Sequence, residues 1–235
     1  MTYNELLKLV QNRRSTRRFK PDPVPDEYID KIIEVARWAP SGFNLQPWEF
    51  FVVKNRQLRD SIVQFCRESM ENTGKMETVR ESWQGTPKSP PPQANAPGGD
   101  YSVAPVFILL FGDTRTIAGL PMYRRYNPTL IQEAFQGGLA SAFLYMNLAV
   151  TFLGLGCQWI SAVTTPYAHC MIKNLLGVPE GLEIYDMMAL GYPAVSPNPR
   201  PVREKSEMVH YDKGGDTVRT DEQVKEFIRK IRSGH

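Results

Sequence analysis

Ala104-Pro105-Val106-Phe107-Ile108-Leu109-Leu110-Phe111 is a continuous apolar run of strand length, closed by Gly112-Asp113. A strand with one face in water alternates apolar and polar side chains. This one does not, so it reads as a central strand covered on both faces. Three further segments read as strands: Trp48-Glu49-Phe50-Phe51-Val52-Val53 between Pro47 and Asn55, Gln158–Val163, and Glu183–Leu190 ahead of Gly191-Tyr192-Pro193.

The covering layers are predicted to be helical. Thr2-x-x-Glu5 has the form of a capping box before Leu6, Leu7 and Val10. After a stiff connector with Pro21, Pro23 and Pro25, the residues Ile29, Ile32, Ile33 and Ala36 recur at helical spacing, and Pro40 stops that helix. Leu58, Ile62 and Phe65 place a third helix behind the first strand. A long helix from about Thr129 to Leu153 carries Gly137, Gly138, Ala140, Ser141, Ala142 and Ala149. Such small residues let another helix approach closely, in the core or at a subunit interface. Gly154 and Gly156 end it. Pro166–Leu176 is a helix closed by Gly177, and Asp221 is expected to cap a last one with Val224, Phe227, Ile228 and Ile231 on one face. Helices outnumber strands and no βαβ period is sustained, so the fold class is α+β.

The 235 residues are 42% apolar and 23% charged, proportions of a globular chain and not of a disordered one. We expect one domain over 1–235, interrupted by a Pro/Gly-rich excursion at about 70–101, where Gly74, Pro90-Pro91-Pro92 and Gly98-Gly99 break any period. That excursion is open to three readings: a lid or substrate wall, an inert insert, or a polyproline ligand. A formal charge of +3 is too mild to point to nucleic acid. Cys66, Cys157 and Cys170 show no C-x-x-C spacing, and the three histidines form no metal motif, so no metal is expected. No signal-peptide pattern or membrane-length apolar run is visible, and a cytoplasmic protein with reduced thiols is the simple expectation.

Three segments could carry chemistry. Arg13-Arg14-Ser15-Thr16-Arg17-Arg18 crowds four guanidiniums and two hydroxyls into six residues, which suits a phosphate or a solvated basic turn. Ala39-Pro40-Ser41-Gly42-Phe43-Asn44-Leu45-Gln46-Pro47-Trp48 is rich in amides. These suit the edge of a planar heterocycle, and equally an ordinary turn. Gly154-Leu155-Gly156-Cys157-Gln158-Trp159-Ile160-Ser161-Ala162 is a helix-to-strand corner whose backbone N–H groups can face a ligand. It is not a Rossmann fingerprint, because its glycines follow a helix.

In this order, and with Leu190-Gly191-Tyr192-Pro193 and a basic tail at Arg203, the segments resemble the FMN-dependent nitroreductase family. The resemblance implies a central antiparallel-type sheet packed by helices and an intertwined homodimer with FMN at the subunit interface. It implies that Arg13, Arg14 and Ser15 hold the phosphate and ribityl chain, that Arg17 reaches the N1/O2 side of the ring, and that Arg203 closes on the phosphate. Pro40, Ser41, Gly42, Asn44 and Gln46 would cover the ring from the other subunit. Trp159, Ile160, Ser161 and Ala162 would lie along one ring face, where many members instead carry a Pro-x-Glu-Gly or Gly-rich segment. The implied activity is an NAD(P)H oxidoreductase that reduces nitroaromatics, quinones or similar acceptors by a ping-pong cycle at flavin N5. A specialised flavin reductase or reductive dehalogenase and a non-catalytic flavin binder are the alternatives. With the redox work done by the cofactor, no protein acid or base is expected, and no His/Asp or Cys/His constellation is visible.

Overall fold

A computed structural model describes residues 1–79, 100–196, 202–214 and 218–233, with the backbone alone for 74–79 and 231–233. The chain divides into two compact units, Met1–Pro197 and Asn198–His235. In the first, the order is α1 (Tyr3–Asn12), α2 (Asp26–Ala36), β1 (Trp48–Val53), α3 (Arg56–Val79), β2 (Val106–Asp113), α4 (Met122–Arg125), α5 (Pro128–Phe152), β3 (Gly156–Ile160), α6 (Pro166–Leu175) and β4 (Leu182–Gly191). The second unit contains α7 (Asp221–Ser233). Among the described residues, no helix is long and apolar enough to cross a membrane.

The sheet has the order β1-β2-β4-β3, and every pairing is antiparallel. β2 is an inner strand, and Val106 to Gly112 are all buried, as an unbroken apolar run requires. Its side chains feed two cores. Val106, Ile108 and Leu110 pack with Ile29, Ile32 and Ala36 of α2 and Leu139, Phe143 and Met146 of α5. Phe107, Leu109 and Phe111 pack with Ile62 and Cys66 of α3 and Ala168 and Ile172 of α6. The fold is thus a helix–sheet–helix sandwich, α+β as the sequence predicts.

Several sequence expectations change in detail. α3 runs through Gly74 to Val79, so the first ten residues of the supposed excursion are helical. A lone glycine costs about 1 kcal/mol in a helix and does not by itself end one. Residues 80–99, with the polyproline run, lie outside the described residues. β3 ends at Ile160, and Ser161–Thr164 is a 3₁₀ turn instead of strand. Thr220, not Asp221, caps α7: its hydroxyl accepts from the Gln223 N–H, and the Gln223 side chain accepts from the Thr220 N–H. The Thr2/Glu5 capping box of α1 forms as expected.

The basic turn after α1 is fastened to the start of β3. Ser15 bridges Cys157 in parallel, and the Thr16 N–H donates to the Cys157 carbonyl at 2.8 Å. Buried Thr16 leaves no room for a side chain at position 156: a Cβ there would meet its Cβ at 2.7 Å and its methyl at 2.8 Å. Phe19 bridges Pro193, and Lys20 N–H donates to the Tyr192 carbonyl at 2.9 Å, so the turn is held at both ends. We expect Gly156→Ala to destabilise the protein by about 1–3 kcal/mol through overpacking. Urea unfolding measures this, and an unchanged midpoint would show that Thr16 is not wedged against the strand.

Candidate functional site

Strand β3 carries the site from end to end. At its start, the Arg13 charge reaches the buried Cys157 and opposes the effect of burial, which still pushes that thiol up to about 12. Cys157 is therefore a neutral packing residue. Its Sγ lies 3.2 Å from Asn147 Oδ1, and Asn147 Nδ2 donates to the Phe143 carbonyl at 2.9 Å, which ties the strand to α5. Arg14 turns back along its own segment and donates to the carbonyls of Gln11 and Arg13. Arg17, one residue past buried Thr16, is exposed.

At the far end of β3, Trp159 faces α5 and is 42% exposed. Its ring lies 4.1 Å from that of Phe143 and 6.1 Å from that of Tyr185 (centroid to centroid). Ile160 is buried, Ser161 is exposed and Ala162 is half-buried. From Cys157 to Ser161 the extended chain covers about 13 Å. The structure thus sets the arginine turn at one end of β3 and the Trp159–Ala162 segment at the other.

The amide loop is placed elsewhere. Ser41 and Gly42 rest on α5 at Gly138 and Ala134: a Cβ on Gly42 would lie 3.1 Å from Ala134 Cβ, and one on Gly138 3.0 Å from Ser41 Cβ. The Ser41 hydroxyl accepts from the Gln46 N–H at 3.0 Å. Phe43, Asn44 and Gln46 have φ of +54°, +55° and +46°. Asn enters this left-handed region readily, but Phe and Gln do so at about 1–2 kcal/mol each. Strain of this kind persists where the surroundings impose it, and it clusters at ligand clamps. Pro40, Asn44 and Gln46 are exposed, and the Arg124 guanidinium lies over the Phe43 ring at 5.5 Å. Gly138 and Asn147 are nine residues apart on α5, which puts them on opposite faces and about 14 Å apart along the axis. One copy of the chain thus keeps the amide loop away from the arginine turn. Arg203 belongs to the second unit, where its guanidinium donates to the Glu207 carbonyl at 2.6 Å and lies over Phe227 at 5.9 Å.

The sequence reading missed Asp186. This carboxyl group is 93% hidden from solvent (7% exposed), and its Oδ1 has no hydrogen-bond partner. A bulge puts it there. β2 pairs Leu110 with Asp186 and Phe111 with Ile184, leaving Tyr185 as an extra residue in β4. Ile184 packs on the α3/α6 side of the sheet, whereas Tyr185 and Leu110, the partner of Asp186, pack on the α5 side. The Trp159 indole and the Ser161 hydroxyl interact with the carboxyl group and favour its charged form, but burial outweighs them and moves its pKa up from the ordinary 3.8. A signal was present: an acid interrupts the otherwise apolar run of Ile184–Leu190.

The profile of the Nitroreductase family matches residues 10–192. The chain belongs to this family. A Methanothermobacter thermautotrophicus protein, provisionally named an NADH dehydrogenase/NAD(P)H nitroreductase, is 26% identical over 89% of this chain and 87% of its own length. Iodotyrosine deiodinase of Drosophila melanogaster is 31% identical over 80% of this chain and 62% of its own. The chain spans about two thirds of the animal deiodinases it matches. A solved structure of oxidised iodotyrosine deiodinase bound to FMN and 3-iodo-L-tyrosine superposes with a TM-score of 0.65 at 25% identity, over 88% of this chain and 99% of that one. The nitroreductase-like α+β fold expected from the sequence is therefore the fold of this protein.

Asp186 generates a prediction about stability. Its folded-state pKa is raised, so its contribution is complete below the ordinary aspartate range and is lost as pH rises through the folded value, where a buried carboxyl must ionise. Asp186→Asn should remove that alkaline-side decline. Urea midpoints from pH 4 to pH 8 report it, and parallel curves for the two proteins would refute the assignment.

Proposed function

We propose that this protein is an FMN-dependent NAD(P)H oxidoreductase that works as a homodimer with two equivalent sites. The observation that carries the reading is the fastening of the arginine turn to β3. It sets guanidiniums at one end of a strand whose other end exposes an aromatic side chain and a hydroxyl. A ligand that joins a phosphate to a flat heterocycle through a flexible chain fits that layout, and FMN is such a ligand. The chemistry FMN supplies when bound is two-electron transfer, from NADH or NADPH to an electron-poor acceptor at a shared ring.

The chain's own residues have separable tasks in this reading. Arg13, Arg14 and Ser15 bind the phosphate by charge-assisted hydrogen bonds, and exposed Arg17 offers a fixed cation that favours negative charge on a reduced ring. Trp159, Ile160, Ser161 and Ala162 form the floor, and the 3₁₀ turn at Ser161–Thr164 leaves backbone N–H groups outside the sheet ladder. The floor in turn excludes water from one ring face.

A second copy supplies the roof. Gly137, Ser141, Leu144, Leu148 and Phe152 share one face of α5, on which Leu144 is 49% and Phe152 73% exposed, and the Gly137 position opens on empty space. Leu6, Leu7 and Val10 of α1 are exposed as well. At 100° per residue, this apolar stripe runs between the face that bears the amide loop and the face that bears Asn147 and Cys157. Pairing two copies through the stripe sets the Pro40–Gln46 loop of one beside the arginine turn of the other. The strained backbone of Phe43, Asn44 and Gln46 is then held to meet a ligand.

A specialised reaction, reductive removal of a halogen from an aromatic ring, is the second reading. It is favoured by the deiodinases among the relatives and by the 3-iodo-L-tyrosine bound to one of them.

Purified protein mixed with FMN should show bands near about 370 and 450 nm that stay with it on gel filtration, and a colourless protein would overturn the proposal. Arg14→Ala should weaken FMN binding by about 1.5–3 kcal/mol, measured by fluorescence titration. Dilution to monomers should release the flavin, and a monomer that keeps it would rule out the shared site. Iodide release from 3-iodotyrosine, set against turnover of a nitroaromatic, separates the two reactions.

A further inference from the structure

Among the described residues, Asp186 is the only buried acidic or basic side chain, and nothing in the binding scheme above uses it. We propose that Asp186 is a proton-relay residue of this site, passing a proton by way of the Ser161 hydroxyl to the acceptor that is being reduced. This rests on the oxidoreductase reading and goes beyond it, because the sequence reading held that the protein needs no acid of its own.

Three features of the geometry support it. The carboxyl group is buried beside the Trp159 indole, whose ring lies 4.1 Å from that of Phe143 and 6.1 Å from that of Tyr185, and the pairing of Ile160 with Met187 sets Ser161 level with Asp186 across the strands. It interacts with Ser161, which is exposed at the end of β3, so the buried acid has a hydroxyl between itself and the ring-facing surface. Its Oδ1 has no hydrogen-bond partner among the described residues, so a charge on it would be poorly solvated and the neutral form is favoured. The groups around it are few. β3 presents Trp159 and Ser161, α5 presents Phe143, and β2 presents Leu110 opposite. The titratable neighbour is Tyr185 of β4, whose hydroxyl is raised first by burial and then by the Asp186 charge. Among the described residues, no cation offsets a charge on Asp186. A carboxyl group in such surroundings holds its proton to higher pH than an exposed aspartate does, which is the direction a proton donor needs.

The chemistry needs one. Reducing a nitro group to a nitroso group, a quinone to a hydroquinone or an aryl halide to an arene adds protons along with an electron pair. The pair originates in NADH or NADPH. For the proton, the Ser161 O–H bond breaks as a bond forms between that hydrogen and the acceptor, and the Ser161 oxygen takes the proton of the Asp186 carboxyl group. Asp186 is left as a carboxylate and regains a proton from water by the reverse path.

The test uses the full chain loaded with FMN, with NADH as donor and 4-nitrobenzoate as acceptor, from pH 5 to pH 9. In the wild type, kcat should fall on the alkaline side. Asp186→Asn should lower kcat by about 10²-fold or more with KM little changed, and should abolish the alkaline limb. Asp186→Glu should restore both rate and limb. Ser161→Ala should match Asp186→Asn, and the double variant should be no slower than either, as for residues that act as a unit. A readout without turnover is the tryptophan fluorescence of the ligand-free chain: it should titrate with pH in the wild type and lose that transition in both Asp186→Asn and Trp159→Phe. FMN-loaded Asp186→Asn with wild-type rate and pH profile would overturn the relay while leaving the oxidoreductase standing. Full activity in Ser161→Ala would do the same, and covers the case in which Asp186→Asn does not fold. A wild type that binds no FMN overturns both, and absorbance alone reveals that outcome.

Discussion

The N–H of Thr16 bonded to the carbonyl of Cys157, over a glycine that leaves Thr16 room to lie flat, is the contact on which the candidate site depends. It converts a flexible basic segment, whose like charges repel, into a fixed feature at the head of β3. The anchor is backbone to backbone and uses no guanidinium. Asn147 braces the same strand from α5 through Cys157 and Phe143. Position and charge are supplied by different atoms, which is why the turn can concentrate guanidiniums without losing its place.

Much of this was legible in the sequence, for reasons that differ by element. The unbroken apolar run of β2 can only be a strand covered on both faces. The spacing of Ile29, Ile32 and Ala36 can only bury one side of a helix. Both are local patterns that the core rewards directly. The arginine turn and the Trp159–Ala162 segment were legible as parts. Their meeting on one strand was not, since a parallel bridge between residues 15 and 157 leaves no periodic trace. Gly74 misled because a helix packed against α6 tolerates a glycine that an isolated helix would not. Asp186 went unread because strand alternation assumes a regular ladder, and the bulge at Tyr185 breaks that assumption.

The amide loop shows a different division of labour. Ser41, Gly42 and the α5 surface hold the backbone, while Phe43, Asn44 and Gln46 occupy left-handed conformations that local propensity resists. A single chain gains nothing visible from that arrangement. The loop and the arginine turn sit on opposite sides of α5, and the apolar stripe lies between them. In the proposed dimer, folding and assembly would be coupled through α5, which touches the loop and the strand and carries the exposed stripe.

Tyr185 is supernumerary to the sheet. Phe111 opposite Ile184 and Leu110 opposite Asp186 would be consecutive, correctly alternating pairs without it. Loss of that single codon would restore the regular alternation of Ile184 and Asp186 and remove the aromatic ring that lies 6.1 Å from Trp159 beside a buried acid.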